Sequence, residues 1–278
     1  MKVIIVQNCA EIGFQDNSKY FDNTKYKNFE KVKKLLSDYK NQKADLIILP
    51  ELFSTGWFPQ IYPKSFEIEE DSPTLKFLSG LAKEFNSNVV GGSFVLKTDE
   101  GLKNTCPIFE REGNLIAKYE KMHLFSHYEQ GEGDFSKCGK NGLIVNTDIG
   151  KIGISICYDI RFPELHRAYT FSGADILINV AAWPKTRLHH YHSLARARAI
   201  ENQIFFVGVT QTGLIANEEY NSGHSLAVSP FGDIIVEADE KECAISFDID
   251  LFEEKELRQK VPTLKDKKEN YEVKFLGV

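Results

Sequence analysis

Short β-branched runs alternate along almost the whole chain with stretches of helical periodicity, and this confines it to layered α/β architectures in which helices cover sheets. The runs at 3–8, 45–49, 88–96, 105–110 and 115–119 read as strands of a first half, with Arg111-Glu112-Gly113-Asn114 as a hairpin turn. A second half repeats the texture at 143–146, 151–156, 175–179, 204–209, 224–228, 234–237 and 244–248. Between them, 26–40 places Val32, Leu35, Leu36 and Tyr39 on one helical face, and 74–85 does the same with Leu75, Leu78, Leu81, Ala82 and Phe85. Further helices are expected at 163–172, which opens with a proline in its first turn, at 187–203, and at 252–259. The Lys-, Asp- and Glu-rich stretch after Pro262 reads as a solvated tail or an arm reaching a partner subunit.

The apolar runs also limit where the chain works. None approaches the roughly 18 residues of a bilayer span, so no transmembrane helix is expected. Met1-Lys2-Val3-Ile4-Ile5-Val6 turns polar at Gln7-Asn8, which is a first strand and not the core of a signal peptide. A net charge of −6 offers no electrostatic footprint for nucleic acid or an anionic membrane surface, which leaves a small molecule or a protein as partner. Five scattered cysteines, without a Cys-x-x-Cys pair, fit neither a disulfide framework nor a zinc ribbon and point to a reducing cytoplasm. The length suits one large domain burying roughly 75% of its unfolded surface.

Chemistry-bearing residues stand where these runs end. Cys157 closes the run at 151–156 and precedes Tyr158-Asp159-Ile160-Arg161-Phe162-Pro163, so a strand delivers it to a sharp turn that opens a helix. Such a turn exposes a nucleophile and sets it beside a helix N-terminus, although a lone strand-end cysteine also packs well as a small hydrophobe. Glu51 follows Asp45-Leu-Ile-Ile-Leu49-Pro50; burial there raises a carboxyl pKa and makes a general base, with a loop cap as the alternative. Lys121 follows the run at 115–120, where a lysine either snorkels outward or stays charged beside carboxylates and holds an oxyanion. Glu132, in the Gly-rich loop after His127, is a candidate second carboxylate, and Glu129 competes with it.

Together these segments resemble the nitrilase superfamily of carbon–nitrogen hydrolases, whose hallmark is a Glu-Lys-Cys triad in that chain order. The resemblance spans nearly the whole chain and rests on Leu49-Pro50-Glu51-Leu52-Phe53, Tyr119-Glu120-Lys121-Met122-His123-Leu124-Phe125, Cys157-Tyr158-Asp159-Ile160-Arg161-Phe162-Pro163-Glu164-Leu165 and Ala195-Arg196-Ala197-Arg198-Ala199-Ile200-Glu201-Asn202-Gln203. Ser222-Gly223-His224-Ser225, followed by Ser229-Pro230-Phe231-Gly232-Asp233, extends it. It implies a four-layer αββα sandwich, carbon–nitrogen hydrolase domain 1–260 and C-terminal tail or oligomerisation arm 261–278, in a homodimer or higher homo-oligomer. It further implies Glu51 as general base, Lys121 as oxyanion and proton-handling cation, Cys157 as nucleophile and Glu132, seven residues before Gly139, as the second glutamate. The Tyr158 backbone N–H would assist at the oxyanion, and no metal or organic cofactor would be needed. The cysteine segment and Asn179-Val-Ala-Ala-Trp183-Pro184 look most like the bacterial ω-amidase-type branch, which opens terminal amides of small dicarboxylate monoamides such as 2-oxoglutaramate. Phe53, Phe125 and Trp183, at the starts of the following loops, are candidate pocket-lining residues; Trp183 serves equally well as a core tryptophan at a strand end.

Other readings compete. A nitrilase or an N-carbamoyl hydrolase of the same superfamily would share the triad. A Cys–His acyltransferase would pair Cys157 with His123 or His224. His189, His190 and His192, with His166, could suggest a metal site, but neighbours on a helix point apart and no ligand spacing accompanies them.

Overall fold

Strand β1 (Lys2–Gln7) shows how the layers arise. Its side chains alternate with the two-residue period of a pleated strand, so Val3 and Ile5 join one buried cluster while Ile4 and Val6 join another. A strand apolar on both faces needs a covering layer on each side. The computed structural model describes residues 1–12, 18–127, 131–215, 219–268 and 270–276.

After β1 come α1 (Ser18–Leu36), β2 (Leu46–Ile48), α2 (Tyr62–Ser65), α3 (Pro73–Phe85), β3 (Asn88–Val90), β4 (Phe94–Thr98), β5 (Gly101–Phe109), β6 (Leu115–Glu120) and the single turn α4 (Glu132–Phe135). The second half holds β7 (Leu143–Thr147), β8 (Gly150–Ile156), α5 (Pro163–Phe171), β9 (Ile176–Ala181), α6 (Leu188–Asn202) and β10 (Phe205–Thr210). It ends with β11 (Thr212–Leu214), β12 (Tyr220–Ser222), β13 (Leu226–Val228), β14 (Ile234–Glu237), β15 (Cys243–Asp248) and α7 (Leu251–Lys260).

The first sheet runs β15-β1-β2-β3-β5-β4, with β6 also paired to β5, and the second runs β14-β13-β10-β9-β8-β7. β1, β2 and β3 are parallel, as are β8, β9 and β10, and antiparallel strands flank both trios. β15 returns from the second half to lie against β1, Val3 opposite Phe247, which ties the chain's two halves together. Phe29 and Val32 of α1 and Leu78 and Leu81 of α3 cover the outer face of the first sheet through Ile47 and Val89. Ile48 and Ile108 of that sheet share a buried cluster with Ile154 and Ile156 of the second, which Tyr169 of α5 and Tyr191 and Ala195 of α6 join. The layers are therefore helix, sheet, sheet, helix, the expected αββα sandwich. Among the described residues no helix is long and apolar enough to cross a membrane.

The expected elements recur with informative shifts. Helix α3 starts where Ser72 Oγ accepts the Leu75 N–H, with Pro73 in the first turn, and stops at Asn86 in the left-handed conformation. Residues 111–114 turn as expected, Gly113 N–H donating to the Glu110 carbonyl at 2.8 Å. The first helix begins earlier than its periodicity indicated and tightens to a 3₁₀ turn at Ser37–Tyr39. The hairpin β11–β12 was not anticipated. The single strand expected at 88–96 is two, because β5 inserts between β3 and β4. The chain leaves one and reaches the other through Gly91-Gly92. Gly92 has φ +61°, and a Cβ there would sit 2.1 Å from the Pro50 carbonyl oxygen, immediately before Glu51.

Gly92→Ala is therefore expected to destabilise the fold by more than about 1 kcal/mol and to disturb Glu51 as well. Gly80→Ala is the control: it lies on α3 with nothing within 4 Å of an added Cβ, and should stabilise by about 0.5–1 kcal/mol. Thermal melts of the two variants beside the wild type check the opposite signs.

Candidate active site

Glu51 sits just past the end of β2, where Leu52 takes a left-handed conformation (φ +50°) and turns the chain away. The carboxylate is fully buried. Its Oε1 accepts from Lys121 Nζ at 2.8 Å and Asn104 Nδ2 at 2.9 Å, and its Oε2 from the Ala182 backbone N–H at 2.8 Å. Its backbone carbonyl accepts from Gln211 Nε2 at 2.6 Å. Ala182 and Gln211 follow β9 and β10, so a residue of the first sheet is anchored at the strand ends of the second.

Lys121 leaves β6 and is 1% exposed; Glu132 opens α4 and is 0% exposed. Lys121 Nζ donates to Glu132 Oε2 at 2.6 Å as well as to Glu51, so one ammonium serves two buried carboxylates. Glu132 Oε2 also accepts from the Phe125 N–H at 2.9 Å, and Oε1 from Tyr62 OH and Asn104 Nδ2, both at 3.2 Å. Asn104 thus bridges both carboxylates. Burial works against the charge on Lys121, but Glu132 and Glu51 outweigh it and raise its pKa, so it remains an ammonium. Burial raises the pKa of Glu51, which Lys121 opposes.

Cys157 stands at the end of β8 with φ +47°, a conformation that costs a non-glycine residue energy and turns its side chain out of the strand. A 3₁₀ turn, Cys157–Arg161, leads into α5. Asp159, fully buried, holds this elbow: Oδ2 accepts from the Ile156 N–H at 2.9 Å and Tyr119 OH at 2.7 Å, and Oδ1 from the His123 N–H at 3.0 Å and pairs with its Nδ1 at 2.7 Å. Asn179 of β9 donates to the Cys157 carbonyl at 3.5 Å and to Ser155 Oγ at 2.9 Å. Burial, then the Glu51 carboxylate, push the Cys157 thiol pKa well up, and Lys121 opposes them. The thiol accordingly rests protonated, and Sγ donates to the Ala182 carbonyl at 3.8 Å, the residue whose N–H holds Glu51. A neutral thiol, a carboxylate joined to it through Ala182 and an ammonium on that carboxylate are the components of nucleophilic acyl transfer. The Tyr158 N–H lies in the first turn of the 3₁₀ helix, where backbone donors have no intrahelical acceptor.

The proposed pocket residues separate. Phe53 is fully buried in the helix-side core, its ring 6.0 Å from Phe29 and 6.1 Å from Phe77, because the turn at Leu52 sends it to the opposite face from Glu51. This corrects its assignment as a pocket wall. Phe125 is half-buried among Trp57, His127 and Tyr158. Trp183 is buried, donates from Nε1 to the Arg187 carbonyl at 2.8 Å, packs on Tyr191 and carries the Arg161 guanidinium 5.0 Å over its ring. Arg187 lies 5.5 Å over the Phe125 ring.

Among the histidines, His123 is held by Asp159 and stacks on Phe162, and His224 pairs with Glu237 at 2.7 Å, so neither is the base engaged with Cys157. His166 is buried, its pKa pushed down to about 4 by burial, between the Phe162 carbonyl and Ser155 Oγ. His190 contacts Arg161, and the four histidines weighed as a metal cluster do not converge. Glu129 lies outside the described residues.

Asn104, Asp159, Tyr62 and Asn179 were not singled out by sequence. Asn104 stands in a largely buried strand, and Asp159 two residues after Cys157; a polar side chain in a buried element was the available signal.

Three comparisons bear on this arrangement. Residues 6–259 match the family model described as carbon-nitrogen hydrolase. A 2-oxoglutaramate amidase of Bacillus subtilis (strain 168) is 34% identical over 88% of this chain and 94% of its own length. An omega-amidase of Xenopus laevis is 32% identical over 87% and 90%. Among solved structures, Saccharomyces cerevisiae Nit3, a member of branch 10 of the nitrilase superfamily, superposes with TM-score 0.83 at 30% identity, covering 94% of each chain. XC1258 of Xanthomonas campestris, with an arsenic adduct in its active site, gives 0.85 at 27% identity over 100% and 99%.

Asp159→Asn keeps the volume but turns one acceptor oxygen into a donor facing N–H groups. We expect a loss of about 2–4 kcal/mol of stability and a fall in turnover beyond what the folded fraction explains, measured by denaturant titration and active-site counting.

Proposed function

The chain belongs to the carbon–nitrogen hydrolase family, and we propose that it opens the terminal amide of a small dicarboxylate monoamide through a cysteine thioester. One observation carries the reading: Glu51, Lys121 and Glu132 meet in a single buried cluster, and Ala182 ties it to Cys157, its N–H on Glu51 and its carbonyl accepting from the thiol.

Glu51 takes the Sγ proton as Cys157 attacks the amide carbon. The carbonyl oxygen becomes an oxyanion, held by the Lys121 ammonium and the Tyr158 N–H. The proton on Glu51 passes to the nitrogen, the C–N bond breaks, and ammonia leaves a thioester. Glu51 then takes a proton from water, the hydroxide attacks the thioester, and the returning thiolate recovers that proton. Glu132 keeps Lys121 in place and charged throughout. Residues of this chain complete every proton transfer.

The ω-amide preference rests on the names of the relatives and on two arginines near the cluster. Arg161 over Trp183, next to Ala182, and Arg187 over Phe125 set two cations on aromatic rings beside residues that hydrogen-bond the cluster, a setting suited to the free carboxylate of a monoamide. We further assign 1–260 to the hydrolase domain and 261–278 to an arm that joins α5 in self-association. The exposed apolar side chains Phe275 (95%) and Leu276 (88%) support such an arm. The free cysteines suit a reducing cytoplasm.

Ammonia release should show kcat/KM at least about tenfold higher for small ω-amides than for the matching nitriles, a gap of about 1.4 kcal/mol. Cys157→Ala should fold and be inactive, and mass spectrometry of the wild type should find the acyl adduct on Cys157. Faster nitrile turnover rejects the amidase reading, and an adduct on Cys9, Cys106, Cys138 or Cys243 rejects the nucleophile. Light scattering is expected to report a dimer or larger at micromolar concentration; a monomer removes the arm assignment alone.

A further inference from the structure

We propose that His192, His224 and Glu237 bind one divalent first-row transition-metal ion, zinc above others, at a site separate from the catalytic cluster. Two come from one antiparallel strand pair and the turn before it, 13 residues apart in sequence, and the third from a helix before them. His192 lies in the first half of α6, His224 in the turn before β13, and Glu237 at the end of β14. One donor atom from each lies within 4.8 Å of the others.

The geometry is close to that of a bound ion. His224 Nδ1 is 2.7 Å and His192 Nε2 3.1 Å from Glu237 Oε1, and the two imidazoles cross at 78° with centroids 5.8 Å apart. Two donors on one tetrahedral zinc, at 2.0–2.1 Å each, stand about 3.3 Å apart, close to the two histidine–carboxylate separations here. His192 Nε2 is also a buried nitrogen that makes no hydrogen bond among the described residues: it lies near the carboxylate but out of alignment. A metal would satisfy that atom, whereas the existing contacts leave it unserved.

Two imidazoles and a carboxylate suit zinc and its neighbours, while calcium and magnesium prefer all-oxygen sets. The site also keeps a non-glycine residue in a costly conformation. His224 has φ +56°, fixed by its N–H on the Asp239 carbonyl (3.2 Å) and by Gly223 N–H on the Gln211 carbonyl (3.0 Å).

An ion here would brace the segment that follows Ala182, whose N–H holds Glu51. Ser222 N–H donates to the Trp183 carbonyl at 2.7 Å, and Pro184 bridges to Asn221. Joining His192 to His224 therefore closes a ring around 183–191, the segment that carries Trp183 and Arg187. The ion's role is structural, and it takes no part in the thioester chemistry.

The test is titration of chelator-stripped full-length protein with Co²⁺, read by absorption, and with Zn²⁺, read by calorimetry and thermal melts. Support is one saturable ion per chain, d–d bands without thiolate charge transfer, a melting temperature that rises with metal, and affinity at least about tenfold weaker in His192→Ala and Glu237→Gln. His224→Asn, which tolerates positive φ, should fold and lose the ion too. Absence of saturable binding, a charge-transfer band that places the ion on cysteine, or equal affinity in the folded variants overturns the proposal. Ammonia release by the stripped protein reads the catalytic assignment separately.

Discussion

Two carboxylates and one ammonium share a volume from which water is excluded, and the rest of the structure accommodates that fact. Bringing Glu51, Glu132 and Lys121 out of water costs several kcal/mol for each ion, and their mutual attraction offsets this only if the remaining lone pairs are also met. They are met from many directions. The Ala182 N–H, the Phe125 N–H, Tyr62 OH and the Asn104 amide each supply a donor, and they come from four separate segments of the chain. The cluster therefore forms only when the two sheets have packed, which makes catalytic competence a property of the completed sandwich.

The cluster also explains why Cys157, the proposed nucleophile, is not a resting thiolate. A Cys–His pair can hold separated charge because the imidazole becomes positive as the sulfur becomes negative. Here the partner of the thiol is a carboxylate, so ionising Cys157 beside an ionised Glu51 would put like charges together with one ammonium to serve both and Glu132 besides. In the proposed reaction the proton moves to Glu51 as sulfur bonds carbon, and negative charge then develops on the substrate oxygen, where Lys121 can meet it. The strained backbone at Cys157 and the buried Asp159 hold the sulfur in place for this event.

Much of the site was legible because its members occupy local positions that composition alone reveals. Glu51, Lys121 and Cys157 each follow an apolar run, and a polar residue just past a strand end faces the layer edge whatever the strand's neighbours are. The proline after the Cys157 turn and the caps of α3 are equally local. The resemblance in chain order supplied their roles. Asn104 and Asp159 escaped notice because their importance lies in partners 53 and 40 residues away or in backbone groups, which no spacing records.

Hydrophobic period determined that β1 is buried on both faces and that helices cover the sheets, since alternation and helical spacing are properties of consecutive residues. Tertiary structure decided what those faces meet. It divided 88–96 into two strands by inserting β5, turned Phe53 into the helix-side core while Glu51 entered the site, and brought His192, His224 and Glu237 together although His189 and His190 were nearer in sequence. A chain's local pattern sets the direction in which each side chain leaves the backbone. Only strand order and sheet packing, which depend on contacts between remote segments, set where that direction ends.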